Sequence, residues 1–159
     1  MSQRAQASAL VSVTLLAAWL GAAGFVAAVI TPAAFAVLPT RALAGAIVGR
    51  ALPVLFVLGI AFGIATVVFN RAIGAGRPVT GGASVFAIGS AAALLVTVRV
   101  RGMLVALGTP IDALDPADPR RMAFGRMHGL SVLLMGVGLL GACVALVALA
   151  HHVNARSTA

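Results

Sequence analysis

The sequence predicts an all-α fold, an integral membrane four-helix bundle with a short interfacial helix after the first span. Two observations support this prediction. Of the 159 residues, 62% are hydrophobic and only 9% are charged, with a mean hydropathy of +1.13. A soluble domain carries roughly a quarter charged residues, so this chain has too little polar surface to cover a water-facing exterior. The second observation is that four apolar stretches are long enough to cross a bilayer as helices.

We predict a single transmembrane domain over residues 1–159, with spans at about 9–31, 52–70, 83–107 and 122–150. The first span follows Arg4 and imitates a secretory signal. Its apolar stretch of 22 residues, from Ala9 to Ile30, is broken only by Ser12 and Thr14 and exceeds the roughly 7–15 residues of a cleaved signal. We therefore expect an uncleaved helix, which the prolines at positions 32 and 39 bring to an end.

Residues 40–50, TRALAGAIVGR, follow the first span and are too short to cross a membrane. They hold Arg41 and Arg50 around an apolar centre, which predicts an interfacial or re-entrant helical piece. In the second span, Gly59 and Gly63 are four residues apart. Such a pair of small residues on one face predicts the close approach of another helix.

The third span carries Arg99 and Arg101 in apolar surroundings near its end. Two interpretations stay open: both side chains reach the headgroups, or Arg99 turns into the bundle. Residues 108–121, GTPIDALDPADPRR, then form an aqueous connection with aspartates at positions 112, 115 and 118. These lack the residue order of a calcium loop, so we expect helix capping and local pairing with the arginines at 120 and 121.

The fourth span begins with FGRMHGLSVLLM, in which Phe124, His128, Ser131 and Met135 share one helical stripe. A histidine inside an apolar helix is costly unless it faces protein, a partner or water, so the stripe is expected to look inward. His128, Ser131 and Arg99 are the candidate residues for a cofactor, an anion or a lipid headgroup. His128 with Met135 is the candidate set for copper(I), with Met127, Met122 or Met103 as alternative sulfur ligands, although methionine is also an ordinary packing residue in membrane helices.

No catalytic residue is predicted, because no carboxylate lies in any span to orient the imidazole of His128. The next histidine in the chain, His151, lies about 35 Å further along the same helix. A haem bound by two histidines would therefore need a second copy or a partner chain. The sequence requires no cofactor, and copper and haem stay open.

All eleven basic residues are arginine, and the formal net charge is +8. The arginines are scattered through connecting segments and do not alternate with aromatics on one face, which argues against nucleic acid as a partner. They are typical of helix ends that face lipid headgroups. Seven lie on the side of the first and third connections and four on the other, so the former side is predicted to be cytoplasmic, in a bacterial inner membrane.

Three segments carry a resemblance to a known family: WLGAAGF at 19–25, VITPAAF at 29–35 and FGRMHGLS at 124–131. With them the chain resembles the transmembrane protein 205-like family, a four-helix membrane domain of unassigned molecular function. The resemblance matches Arg99 to an arginine of the third helix, and His128 with Ser131 to a histidine and a serine of the fourth. The family usually has asparagine where this chain has Met135.

Two functional hypotheses follow. The first is a small accessory or structural subunit of a membrane assembly without catalysis, packing against its own copies or a larger complex. The second is a membrane protein that handles copper or haem through His128. The resemblance favours contact with metal or haem, since the family is distantly similar to four-helix membrane proteins linked with copper resistance and haem chemistry.

Overall fold

The computed structural model describes residues 2–157, which form four long helices. Each is long and apolar enough to cross a membrane, so the predicted all-α membrane bundle is confirmed and the chain is a multi-pass integral membrane protein. The elements are α1 (Gln3–Phe25), a π-helical turn (Val26–Ile30), α2 (Thr31–Val37), α3 (Arg41–Ile73), α4 (Arg77–Leu107), a 3₁₀ turn (Ile111–Ala113) and α5 (Pro119–Ser157).

The helices pack in a ring: α1 contacts α3 and α5, and α4 contacts the same two helices. Sequential helices run in opposite directions because short connections join them. The start of α1, the α3–α4 turn and the end of α5 therefore lie at one end of the bundle, which we call end A. The α2–α3 and α4–α5 connections lie at the opposite end, end B.

The structure differs from the prediction at residues 40–50. These residues form the first turns of α3, which runs unbroken through Pro53. The prediction of a separate interfacial piece there was wrong, because proline inside a membrane helix is tolerated when neighbouring helices cover the freed backbone groups. The short helix after the first span is α2, and it is continuous with α1.

The π-helical turn between α1 and α2 is explained by Pro32. This residue has no N–H to donate, and its ring would clash with the carbonyl group four residues earlier in a regular helix. The chain widens by one residue instead, and the Thr31 N–H donates to the Val26 carbonyl. The predicted break at Pro32 is thus a widened turn, and the helix ends only at Leu38.

Trp19 joins three helices at the centre of the bundle. Its side chain is 2% exposed, and its indole N–H donates to the Leu55 carbonyl oxygen of α3 at 2.8 Å. Its ring also meets Phe86 of α4 edge-on, with the ring centroids 4.5 Å apart. Gly59 leaves the space for this contact, since a Cβ there would lie 2.5 Å from the Ser90 hydroxyl oxygen and 3.1 Å from the Trp19 indole nitrogen.

A glycine seam holds α4 against α5. A Cβ on Gly89 would lie 2.9 Å from the Gly138 Cα atom, and one on Gly82 would lie 2.8 Å from the Gly141 carbonyl oxygen. Backbones this close gain van der Waals contact that larger residues would prevent, which is the main source of helix association in lipid. The Gly59–Gly63 pair is used in the same way between α3 and α4, as predicted, because a Cβ on Gly63 would meet the backbone and side chain of Ala87.

Substitution of Gly89 by alanine should loosen the α4–α5 seam and lower stability by about 1–3 kcal/mol, the usual cost of overpacking. Gly102 on the same helix is the matched control, since a Cβ there meets nothing within 4 Å. Gly102→Ala should be neutral or stabilising by up to ~1 kcal/mol, because alanine favours the helix. Thermal unfolding in mild detergent measures both changes, and equal effects would contradict the seam.

Candidate functional site

Burial on α4 and α5 decreases toward end B. Within the described residues, none of 24–37, 98–107 or 119–130 is buried, although Ala44 in the first turn of α3 is fully buried. The last buried layer between α4 and α5 contains Thr97 and Ser131, whose hydroxyl oxygens are 3.2 Å apart and hydrogen-bonded. Beyond this layer, the side chains of α4 and α5 are half-buried or exposed.

The residues of the predicted stripe on α5 differ in how deeply they are buried. Ser131 is 8% exposed and faces α4 as expected, and Met135 and Phe124 are half-buried. His128 is exposed, and its ring stacks on Phe124 with the centroids 5.9 Å apart and the planes 8° from parallel. The expectation that His128 looks into a packed interior was wrong, because the residues that are partly covered at this level of α5 are Phe124 and Met127.

Arg99 is exposed, and the interpretation that it turns into the bundle was also wrong. It is two residues beyond Thr97, which rotates it by about 200° from the face that Thr97 presents to α5. Arg101, four residues beyond Thr97, is also exposed, and the half-buried residues in this part of α4 are Val100 and Met103.

Arg50, Arg99 and Arg126 form an arginine belt on the outside of the bundle. Gly59 of α3 lies against Ser90 of α4. Arg50 precedes Gly59 by nine residues, and Arg99 follows Ser90 by nine residues. Both arginines are therefore equally far from this contact in the direction of end B. Arg126 is five residues from Ser131 toward the same end. Residues 51–70 and 78–98 carry no charge and span about 30–32 Å as helix, the thickness of a hydrocarbon core. The belt thus marks the membrane boundary near end B.

The aspartate-containing connection is a capping structure. Asp118 accepts a hydrogen bond from the Arg120 backbone N–H at 2.8 Å and forms an ion pair with its guanidinium, so the predicted capping and pairing are confirmed there. Arg121 instead donates to the Leu114 carbonyl oxygen at 2.7 Å. Over residues 2–157 no group of three or more histidine, cysteine or acidic side chains is close enough to hold a metal ion.

Hydrogen bonds from Arg120 lower the pKa of the Asp118 carboxyl from 3.8 to about 2. A lowered pKa stabilises the capped form above pH 3.8, and that contribution is lost as the pH falls through about 2. Carboxyl NMR should show a midpoint near 2 for Asp118. Arg120→Gln should move the midpoint up toward 3.8, whereas Arg121→Gln, which removes no bond to Asp118, should leave it in place. A midpoint unchanged by Arg120→Gln would contradict the pairing.

Residues 14–109 match the family described as "Domain of unknown function (DUF4149)". The chain belongs to that family. The matched segment includes Trp19, Gly59 and Arg99, and it ends before α5, which carries His128. No curated protein and no solved structure matches the chain. The resemblance to the transmembrane protein 205-like family stays a prediction.

Proposed function

We propose that this protein is a small accessory or structural subunit of a membrane assembly, without catalysis of its own, acting through the outer surface of the bundle. The observation that carries the proposal is that the other helices bury only a small part of the first helix. In its most apolar stretch, 17% of the residues are buried inside the protein, against 28% in each of the other three helices. The outer face of α1 is therefore left uncovered by the other helices of this chain.

The residues on this face are suited to contact with a helix. Gly21 lies nine residues from the buried Ser12, which places it about 180° away, on the outside of α1. A Cβ on Gly21 or Gly24 meets nothing within 4 Å. Small residues let helix backbones approach closely in lipid. Gly59 and Gly63 cannot serve this purpose, because they are occupied inside the bundle.

The arginine distribution supports a location in a bacterial inner membrane with end B on the cytoplasmic side. End B carries seven arginines and end A carries four. Three of the seven form the outward belt at the membrane boundary, and others lie in the aqueous connection and the first turn of α5. Basic residues that flank spans favour the cytoplasmic side during insertion.

The proposal is tested with Gly21→Leu, which adds a large side chain to the outer face of α1. We expect a smaller assembly or loss of co-purifying subunits in mild detergent, with unchanged thermal unfolding because the position is open. Gly102→Leu is the matched control, as it makes the same change at an open glycine on α4. An assembly that keeps its size and composition with Gly21→Leu would count against the α1 interface.

A second candidate function is the handling of copper or haem, supported by the exposed imidazole of His128 stacked on Phe124. The chain supplies only part of a ligand set at end B: His128, and Met135 two turns deeper on the same face. His151 and His152 lie at end A, about 35 Å away along α5. A bis-histidine haem site would therefore need His128 from a second chain.

Metal analysis and an absorption spectrum of the purified protein test this second function. If it holds, stoichiometric copper or a Soret band should be present and should disappear in His128→Ala. His151→Ala is the control, because it removes an exposed imidazole at the opposite end. A colourless, metal-free protein that retains its partner subunits favours the accessory role.

A further inference from the structure

We propose that the protein forms a symmetric dimer through a surface at end B, in which Arg41 of each copy pairs with Asp112 of the other. We call this surface the α2–α3 patch. It consists of α2, residues 41–50 at the start of α3 and the 3₁₀ turn, which contacts α3. The inference rests on the proposed role as a subunit of an assembly. It names a second copy as one partner and places the contact beyond the membrane boundary.

The start of α3 exposes large apolar side chains beyond that boundary. Leu43 and Ile47 are 51% and 48% exposed, and they share one face of the helix because they are four residues apart. Leu43 precedes Arg50 of the arginine belt by seven residues, which places it about 10 Å beyond the boundary. The hydrocarbon core does not reach this level, so lipid tails leave this face of α3 uncovered.

The side chains of α2 lie at least as far out. The bond from Trp19 to Leu55 sets these two residues at one level, and Arg50 of the belt lies five residues from Leu55 along α3. The first helix therefore reaches the belt about five residues after Trp19, and α2 begins about 10 Å further toward end B. Phe35 and Val37 of α2 are 45% and 80% exposed. An apolar surface of this kind outside the hydrocarbon core is typical of contact with another protein.

The patch also carries opposite charges that have no ion-pair partner in the described part of the chain. Arg41 begins α3 and is exposed, and Asp112 at the centre of the 3₁₀ turn is exposed as well. The ion pair formed within residues 2–157 joins Asp118 to Arg120 instead. A patch with one sign of charge selects a partner of the other sign. The α2–α3 patch carries both signs, so it is complementary to a second copy of itself in a two-fold dimer.

The two charges lie at similar heights above the membrane boundary. Arg41 precedes Arg50 by nine residues, about 13 Å along α3. The α4 helix ends eight residues beyond Arg99, about 12 Å from the belt, and the 3₁₀ turn begins four residues later. Copies with the same orientation in one membrane hold each residue at the same height. Asp112 of one copy therefore lies at the level of Arg41 of the other.

Charge reversal at the two positions tests the dimer. Full-length protein labelled with a donor or an acceptor fluorophore is reconstituted in phosphatidylcholine bilayers, and energy transfer is measured over a range of protein-to-lipid ratios. Arg41→Asp and Asp112→Arg should each weaken dimerisation by about ten-fold, because each change acts at both symmetric contacts and replaces attraction by repulsion. Arg41→Gln and Asp112→Asn each remove one charge and should weaken dimerisation by about three-fold.

Mixing the two reversed variants separates contact between copies from an effect within one copy. A dimer of one Arg41→Asp copy and one Asp112→Arg copy has opposite charges at both contacts, so energy transfer between the two variants should return to the wild-type level. An ion pair within a single copy would not be restored by mixing. Arg126→Asp is the matched control, since it reverses an exposed arginine at end B on α5, across the ring from α3. It should change dimerisation by less than about two-fold.

Several outcomes would overturn the dimer. Wild-type protein that stays monomeric at every protein-to-lipid ratio would do so, and so would mixed variants that associate no better than each variant alone. Equal weakening by Arg126→Asp would indicate a general effect of charge and not the patch. Gly21→Leu tests the outer face of α1 separately and should leave this dimer intact. Loss of the dimer with Gly21→Leu but not with Arg41→Asp would place the contact on α1. Thermal unfolding confirms that each variant is folded.

Discussion

The hydrogen bond from the Trp19 indole to the Leu55 carbonyl is the constraint on which the rest of the bundle depends. In lipid there is no hydrophobic driving force between helices, so close packing and buried hydrogen bonds have to hold them together. Trp19 provides both, because it bonds to α3 and meets Phe86 of α4 while itself belonging to α1. Gly59 must lack a side chain for the indole to lie there. The large side chain of Trp19 and the absence of a side chain at Gly59 thus set the relative height of three helices.

The relative height of the helices determines which residues lie at the same level near end B. Because Gly59 contacts Ser90, Arg50 and Arg99 come to one level outside the bundle, and the boundary of the hydrocarbon core follows. Because the glycine seam aligns α4 with α5, Thr97 meets Ser131 at the last buried layer. The tight packing that stabilises the middle of the protein ends there. The side chains of His128, Arg99 and Arg101 are therefore exposed near end B, outside this closed core.

Particular residues show how far the sequence could predict this arrangement. The helical stripe from Phe124 to Met135 was correctly placed on one face, and Ser131 is buried as expected. The exposure of His128 could not be foreseen, since it depends on how the neighbouring helices are rotated against α5. Arg99 was expected either to reach the headgroups or to turn into the bundle, and its exposure excludes the second interpretation. Residues 40–50 are too short to span by themselves, and only the structure shows that they continue through Pro53 into one long helix.

The sequence alone determined the membrane class, the number of spans and the basic character of one end. Hydropathy and charge are properties of short stretches of sequence. The bilayer places apolar stretches in its hydrocarbon core and basic residues at its boundary. The tertiary structure alone decided which small residues face a neighbour and which are open, and which polar side chains are buried. These properties depend on the rotation and height of one helix against another. Contacts between residues far apart in the chain set them, such as Trp19 with Leu55 and Gly89 with Gly138.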